Sequence, residues 1–250
     1  MKENGMAIKI ENLTKRFDDI TAVDGLNLEV KDGELFGLLG PNGSGKTTII
    51  NVLSGLLKPT SGHVTVGGYD VQKEQDRIKE LIGVCPQETA VYLYLTGREN
   101  VELFGNLHAM PRKRLKENVD ELLERLGLSE DADRRAGKYS GGLKRRTSLI
   151  MALVHDPEIA FLDEPTVAMD PVSRRAVWEF IEELKNRKRT IILTTHYMEE
   201  AEQLCDRVGI IDHGKLIALG PPEELKREFN AKNLEEVFIQ LTGRSFREGL

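Results

Sequence analysis

Long apolar runs, a basic excess and a cysteine framework are all missing from this 250-residue chain. No window approaches the ~18 uninterrupted apolar residues of a membrane-spanning helix, so any work at a membrane needs spans supplied by another chain. The stretch Met1-Lys2-Glu3-Asn4-Gly5-Met6 has no apolar segment of the secretory type and does not read as a leader. With 35 Lys+Arg against 41 Asp+Glu the formal charge is −6, which removes nucleic acid as the default partner. The two cysteines, Cys85 and Cys205, lie far apart and lack metal-ligand spacing. They imply no zinc site and suit reduced thiols in a cytosolic compartment. There is also no repeat, low-complexity tract or long linker. What remains is ordinary globular composition in a chain long enough to bury a substantial core.

The chain is organised around Gly40-Pro41-Asn42-Gly43-Ser44-Gly45-Lys46-Thr47-Thr48, set between the apolar runs Leu35–Leu39 and Ile49–Leu53. It fits the phosphate-binding pattern G-x-x-x-x-G-K-[ST] between a strand and a helix, the P-loop. Glycines let backbone N–H groups curl round an anion, and the helix that follows adds the positive end of its dipole. Asn42, Gly43, Ser44, Gly45, Lys46, Thr47 and Thr48 are the expected phosphate cradle. Within it Lys46 reaches the β- and γ-phosphates, and the Thr47 hydroxyl is a ligand for Mg²⁺.

Alternation in Ala7–Glu11 and Leu26–Val30 predicts two strands with one solvated face, separated by a turn at Asp24-Gly25. The near-continuous apolar runs Glu34–Gly40, Glu158–Asp163 and Thr190–Thr195 predict central parallel strands covered on both sides. A helix after Lys46 is expected to end near Leu56-Leu57-Lys58-Pro59. His63–Val66 and Ile82–Cys85 read as strands, with a polar helix from about Lys73 to Leu81 between them. From Thr96 to about His155 the pattern is nearly all helical, and a helix spans Pro171–Lys188. A short helix near Met198–Leu204 precedes a hairpin turning at Asp212-His213-Gly214, and Leu234, Val237, Phe238 and Leu241 mark a last helix. The expected fold is α/β: a P-loop NTPase core of mostly parallel sheet with antiparallel N-terminal strands and an inserted α-helical subdomain. The core takes residues 1–87 and 158–230, the insertion 88–157, and a helical extension 231–250.

Ile159–Asp163 ends in two carboxylates. Asp163 fits the aspartate that holds Mg²⁺ with the P-loop hydroxyl, and Glu164 fits a group that polarises the attacking water. The long gap from Lys46 to Asp163, and the lack of a guanine-reading Asn/Thr-Lys-x-Asp, favour ATP. In the insertion, Tyr139-Ser140-Gly141-Gly142-Leu143-Lys144-Arg145-Arg146 places a serine at a helix start whose backbone two glycines bare. Taken alone it is an N-cap; physically it is also a second anion-binding terminus. Two such elements in one chain invite a head-to-tail dimer with ATP between subunits.

The order of P-loop, Gln87, Ser140-Gly141-Gly142, Asp163-Glu164, Asp170 and His196 resembles the ATPase subunit of an ABC transporter, over essentially the whole chain. That resemblance implies ATP and Mg²⁺ as ligands, with Phe17 stacking on adenine and Val23 beside it. It makes Gln87 the glutamine near Mg²⁺ and water, and Asp170 a dimer-interface aspartate. It makes His196 the contact to the γ-phosphate, so that Glu164, His196, Gln87 and Lys46 form the catalytic set. Ser140, Gly141 and Gly142 then complete the nucleotide site from a second copy or a paralogue. The signature departs from the usual Leu-Ser-Gly-Gly-Gln at Tyr139 and Leu143, and Ala168-Met169-Asp170 replaces Gly-Leu-Asp. Tyr-Ser-Gly-Gly with its basic neighbours, Gly33–Gly40 and Leu95–Asn100 are similar to daunorubicin-resistance-type multidrug or lipid exporter ATPases. The implied setting is peripheral, on the cytoplasmic face of the cell membrane beside a separate transmembrane permease. Val91–Leu95 are then expected to help form a groove for a helix of that permease. An importer ATPase and a soluble non-transport ABC ATPase stand as alternatives.

Overall fold

The computed structural model describes residues 5–243. Met6–Phe17 (β1) and Ile20–Lys31 (β2) form an antiparallel pair, and Leu35–Leu39 (β3) follows through a short turn. Lys46–Leu53 (α1), Ser61–Val66 (β4), Tyr69–Asp70 (β5), Gln75–Leu81 (α2) and Ile82–Cys85 (β6) complete the first part of the chain. Three helices come next: Gly97–Leu107 (α3), Arg112–Arg125 (α4) and Gly141–Leu153 (α5). The chain then runs through Ile159–Asp163 (β7), Pro171–Asn186 (α6), Thr190–Thr195 (β8), Met198–Leu204 (α7), Arg207–Asp212 (β9) and Lys215–Gly220 (β10). Pro222–Glu228 (α8) and Leu234–Thr242 (α9) close it. Residues 244–250 of the expected extension lie outside the described residues.

A six-stranded sheet in the order β10-β9-β3-β8-β7-β6 is parallel except for its β10 edge, and a four-stranded antiparallel sheet, β2-β1-β4-β5, packs against it. Successive residues of a strand face opposite sides, so each apolar central strand feeds two cores. Leu35, Leu39, Ala160, Leu162, Ile191 and Leu193 pack with the helices on one face. Phe36, Leu38, Ile159, Phe161 and Ile192 pack with α1 and the antiparallel sheet on the other. The parallel order brings the carboxyl ends of β3, β7 and β8 side by side, which is where an open α/β sheet holds ligands.

The structure departs from the sequence expectation at four places. The β1–β2 reversal falls at Asp18-Asp19, not at Asp24-Gly25. Asp24-Gly25 is a bulge inside β2: the pairing slips between Leu13↔Leu26 and Lys15↔Val23, and Asp24 N–H bonds to Gly214 O instead. α1 stops at Leu53, because Gly55 takes the left-handed conformation (φ 75°) that ends a helix before Pro59 is reached. The stretch between α4 and α5 is two 3₁₀ turns and loop, with backbone bonds from Ala136 and Gly137 back to Leu95 and Leu93. Finally, α8 is a helix that the sequence pattern does not predict, a single short segment whose buried anchors are Pro222 and Leu225.

Candidate nucleotide site

Between β3 and α1 the backbone of Gly40–Thr48 forms an arch. Gly45 sits at φ 111°, and a Cβ there would lie 2.4 Å from Ala22 O, so only glycine closes the arch against β2. Lys46, 5 % exposed, folds its ammonium back to donate to Gly40 O (2.7 Å) and Pro41 O (3.0 Å). Burial lowers its pKa, against the opposing pull of Glu164 and Asp163. Among the described residues Ser44 Oγ is buried with no hydrogen-bond partner, a polar atom left over inside the arch. Asn42, Gly43 and Thr47 are exposed and Thr48 half-buried. These donors, with a helix N-terminus behind them, fit a polyphosphate.

The strand ends of β7 and β8 supply the acids and their partners. Thr194 Oγ1 donates to Asp163 Oδ1, and the Glu164 N–H bonds to Thr194 O (3.1 Å) and Oγ1 (3.0 Å). Glu164 is held at φ 51°, a left-handed conformation that turns its side chain out of the strand register. Its Oε1 lies 3.2 Å from His196 Nδ1 and 3.9 Å from Lys46 Nζ, and its Oε2 accepts from Gln87 Nε2 at 3.3 Å. Burial works to raise the Glu164 carboxyl; the His196, Lys46 and Gln87 contacts outweigh it and hold the group below the usual glutamate range. Lys46, Gln87, Glu164 and His196 thus meet around one carboxylate, which is ionised at neutral pH. Thr47, Asp163 and Gln87 offer a hydroxyl, a carboxylate and an amide, the hard oxygen donors that Mg²⁺ takes.

Other candidate residues lie further out. Phe17, 42 % exposed, ends β1 with Lys15 Nζ 4.8 Å from its ring centroid, whereas Val23 is wholly buried in the core. Ser140 caps α5, its Oγ accepting from Leu143 N–H at 3.2 Å. At Gly141 and at Gly142 an added Cβ would meet nothing within 4 Å, so the packing of the chain gives no reason for glycine there. Among the described residues no hydrogen bond or ion pair joins Ser140–Gly142 to Gly40–Thr48. Asp170 is the N-cap of α6, its Oδ1 accepting from the N–H groups of Val172 and Ser173, both at 3.0 Å.

Two side chains at the site were not singled out from the sequence. Arg145, 2 % exposed, reaches the carbonyls of Gln87 and Pro165, in the loops after β6 and β7. Glu200 is fully buried and accepts from Thr166 Oγ1 (2.7 Å) and Trp178 Nε1 (2.8 Å), tying the loop after Glu164 to α6 and α7; burial raises its pKa. Neither carries a local sequence signal: Arg145 stands between Lys144 and Arg146, and Glu200 follows Glu199, so each reads as part of a solvated charged run. The segment expected to help form a groove lies at the surface. Tyr92, Leu93 and Tyr94 project into solvent, 54, 50 and 89 % exposed, from a loop pinned by Asn100. A separate apolar concavity, of about 650 Å³, is lined by Leu56, Val84, Phe104, Leu107, Met151 and His155 among others.

The family model for ABC transporters matches residues 23–167, more than half of the chain and the stretch from β2 through Glu164. The chain belongs to the ABC transporter family. This ABC ATPase is 43 % identical over 231 residues to the daunorubicin resistance ATP-binding protein DrrA3 of Streptomyces coeruleorubidus, covering 92 % of this chain and 73 % of that one. It is 43 % identical over 241 residues to the linearmycin resistance ATP-binding protein LnrL of Bacillus subtilis (strain 168), covering 96 % and 76 %. Among solved structures it superposes on an ATP-binding subunit of an ABC transporter with a TM-score of 0.87 at 25 % identity, covering 94 % of this chain and 99 % of that one. It also matches the dimeric ATP-binding cassette MJ0796 in a post-hydrolysis state bound to ADP and Pi, with a TM-score of 0.79 at 27 % identity, covering 86 % and 98 %. The α/β P-loop fold and ATPase chemistry follow from that membership. Among the described residues no helix of this ABC ATPase is long and apolar enough to cross a membrane.

Proposed function

We propose that two copies of this chain, or this chain and a paralogue, close head to tail on two ATP molecules, and that hydrolysis powers export of a small molecule or lipid through a separate membrane-spanning partner. The observation that carries the shared site is the open space at Gly141 and Gly142. Glycines that nothing in their own chain requires, at a capped helix N-terminus, suit close approach of a phosphate from outside. In this reading Gly40–Thr48 of one subunit and Ser140–Gly142 of the other hold each nucleotide, and Phe17 stacks on the adenine. Exposed Tyr92, Leu93 and Tyr94, together with the groove lined by Leu56, Phe104 and Leu107, are the surface for the permease. The chain then works peripherally on the cytoplasmic face of the membrane. Export as the direction is supported by the resistance proteins it resembles.

Thr47, Asp163 and Gln87 are the residues to hold Mg²⁺, which when bound neutralises charge on the β- and γ-phosphates. Lys46 holds the same phosphates from the loop side. Glu164, kept ionised, accepts a hydrogen bond from water and orients it in line with the γ-phosphorus, while Gln87 and His196 fix the carboxylate's two oxygens. Closure is driven by tighter binding of ATP in the closed dimer than in the open one, and hydrolysis resets it. Glu164→Gln keeps the shape and removes the charge. It should hydrolyse ATP at under about one-hundredth of the wild-type rate and run as an ATP-dependent dimer on gel filtration. Wild-type turnover in this variant would sink the assignment.

A further inference from the structure

Arg145 is the fifth residue of α5, one turn beyond the glycines of its N-terminus, and its guanidinium lies between the loops that follow β6 and β7. Nη1 donates to Pro86 O and to Gln87 O (3.0 Å), Nε to Pro165 O (3.2 Å) and Nη2 to Asp163 O. One side chain therefore grips the backbone at Gln87 and on both sides of Glu164. Among the described residues it forms no ion pair, and its hydrogen bonds go to backbone carbonyls alone. A buried cation of this kind is expensive, and an apolar side chain would serve packing at lower cost. What an apolar residue, or the single nitrogen of lysine, cannot do is aim planar, forked donors at two loops at once.

We propose that Arg145 is a positioning residue that couples the Ser140–Gly142 helix to the hydrolytic pair of its own chain. This rests on the assignment of Gln87 and Glu164 to the attacking water. A shift of α5, whose first turn meets the neighbouring subunit's nucleotide, is carried by the guanidinium to the carbonyls of Asp163, Pro165, Pro86 and Gln87. The amide and the carboxylate then move with the helix as one unit. Nucleotide binding at Gly40–Thr48 does not depend on the link; correct placement of Gln87 and Glu164 does.

The test is steady-state MgATP hydrolysis by the full chain carrying Arg145→Lys, alone and combined with Gln87→Ala, with unfolding curves for each. The expected result is a fall in kcat of tenfold or more with KM changed less than threefold. The same substitution should cost much less in the Gln87→Ala background, because the placement it disturbs is already lost. Full kcat per folded protein in Arg145→Lys, a change confined to KM, or equal losses in both backgrounds would each overturn the coupling. If Arg145→Lys does not fold, Arg145→Gln, which keeps a planar donor, is read by the same criteria. Glu164→Gln run alongside separates the two levels. Wild-type hydrolysis there rejects the site assignment, whereas an inactive Glu164→Gln beside a fully active Arg145→Lys rejects the role of Arg145 alone.

Discussion

His196 Nδ1 lies 3.2 Å from Glu164 Oε1, joining the residue just past β8 to the carboxylate just past β7. The two strands are parallel neighbours, so their ends stay in register, and Thr194 adds a second tie through Asp163 and the Glu164 N–H. His196 is one of the groups that hold the Glu164 carboxyl below its ordinary range. His196→Ala removes that help, so the Glu164 pKa rises and the rate begins to fail at higher pH on the acid side. A pH–kcat profile should show the acid limb moved upward and kcat at neutral pH reduced by about tenfold or more. Superimposable profiles would count against the pairing.

Gly141 tests the dimer reading without disturbing the fold. Among the described residues a Cβ there meets nothing within 4 Å, and alanine is the better helix former by about 1 kcal/mol. Gly141→Ala should therefore melt at or above the wild-type temperature while losing most ATP hydrolysis. Calorimetry beside an ATPase assay checks both halves, and unchanged hydrolysis would remove Gly141 from any shared site.

Ala168 occupies a left-handed conformation, φ 58°, in the loop leading to Asp170. A Cβ there is strained, and glycine is not, by about 1–2 kcal/mol, less what glycine costs in unfolded-chain entropy. Ala168→Gly should raise stability by about 0.5–1 kcal/mol, read from denaturant midpoints. A destabilised variant would mean that the methyl packs better than its backbone angle allows for.

The rings of His108 and His155 stack at 3.6 Å and 4° beside the apolar concavity. Burial first, and His108 second, push the His155 pKa down to about 4, against Ile82 O and Asp156, which raise it. An unfolded histidine titrates near 6.5, so between there and about 4 the unfolded chain binds more protons and stability falls as pH falls. His155→Leu abolishes that term. The drop in Tm between pH 7 and pH 5 should shrink by about 2–4 °C; an equal drop would place the acid sensitivity elsewhere.

Elements with strong local signals are legible in the sequence. The apolar runs of β3, β7 and β8 need cover on both faces wherever they occur, and the spacing of Leu115, Val119 and Leu123 buries one stripe of α4 as the periodicity requires. Signals that depend on what the chain meets were misread. Asp24-Gly25 has the composition of a turn, but Gly214 and Thr14 supply its hydrogen-bond partners and leave it a bulge. The loop between α4 and α5 looks helical in composition and is held open by bonds to Leu93 and Leu95. Arg145 and Glu200 carry no local mark of their roles, because their partners, backbone carbonyls for Arg145 and a hydroxyl and an indole N–H for Glu200, are distant in sequence.

The arch at Gly40–Thr48 is the feature that the amino-acid order by itself determines. Gly45, Lys46 and Thr47 are neighbours along the backbone, and the strand and helix that flank them are set by local periodicity. Bringing Gln87, Glu164, His196 and Lys46 round one carboxylate was decided only by tertiary structure. These four come from segments that touch because β3, β8, β7 and β6 pair in that order, and the order of strands in a sheet is settled by burial of both faces at once.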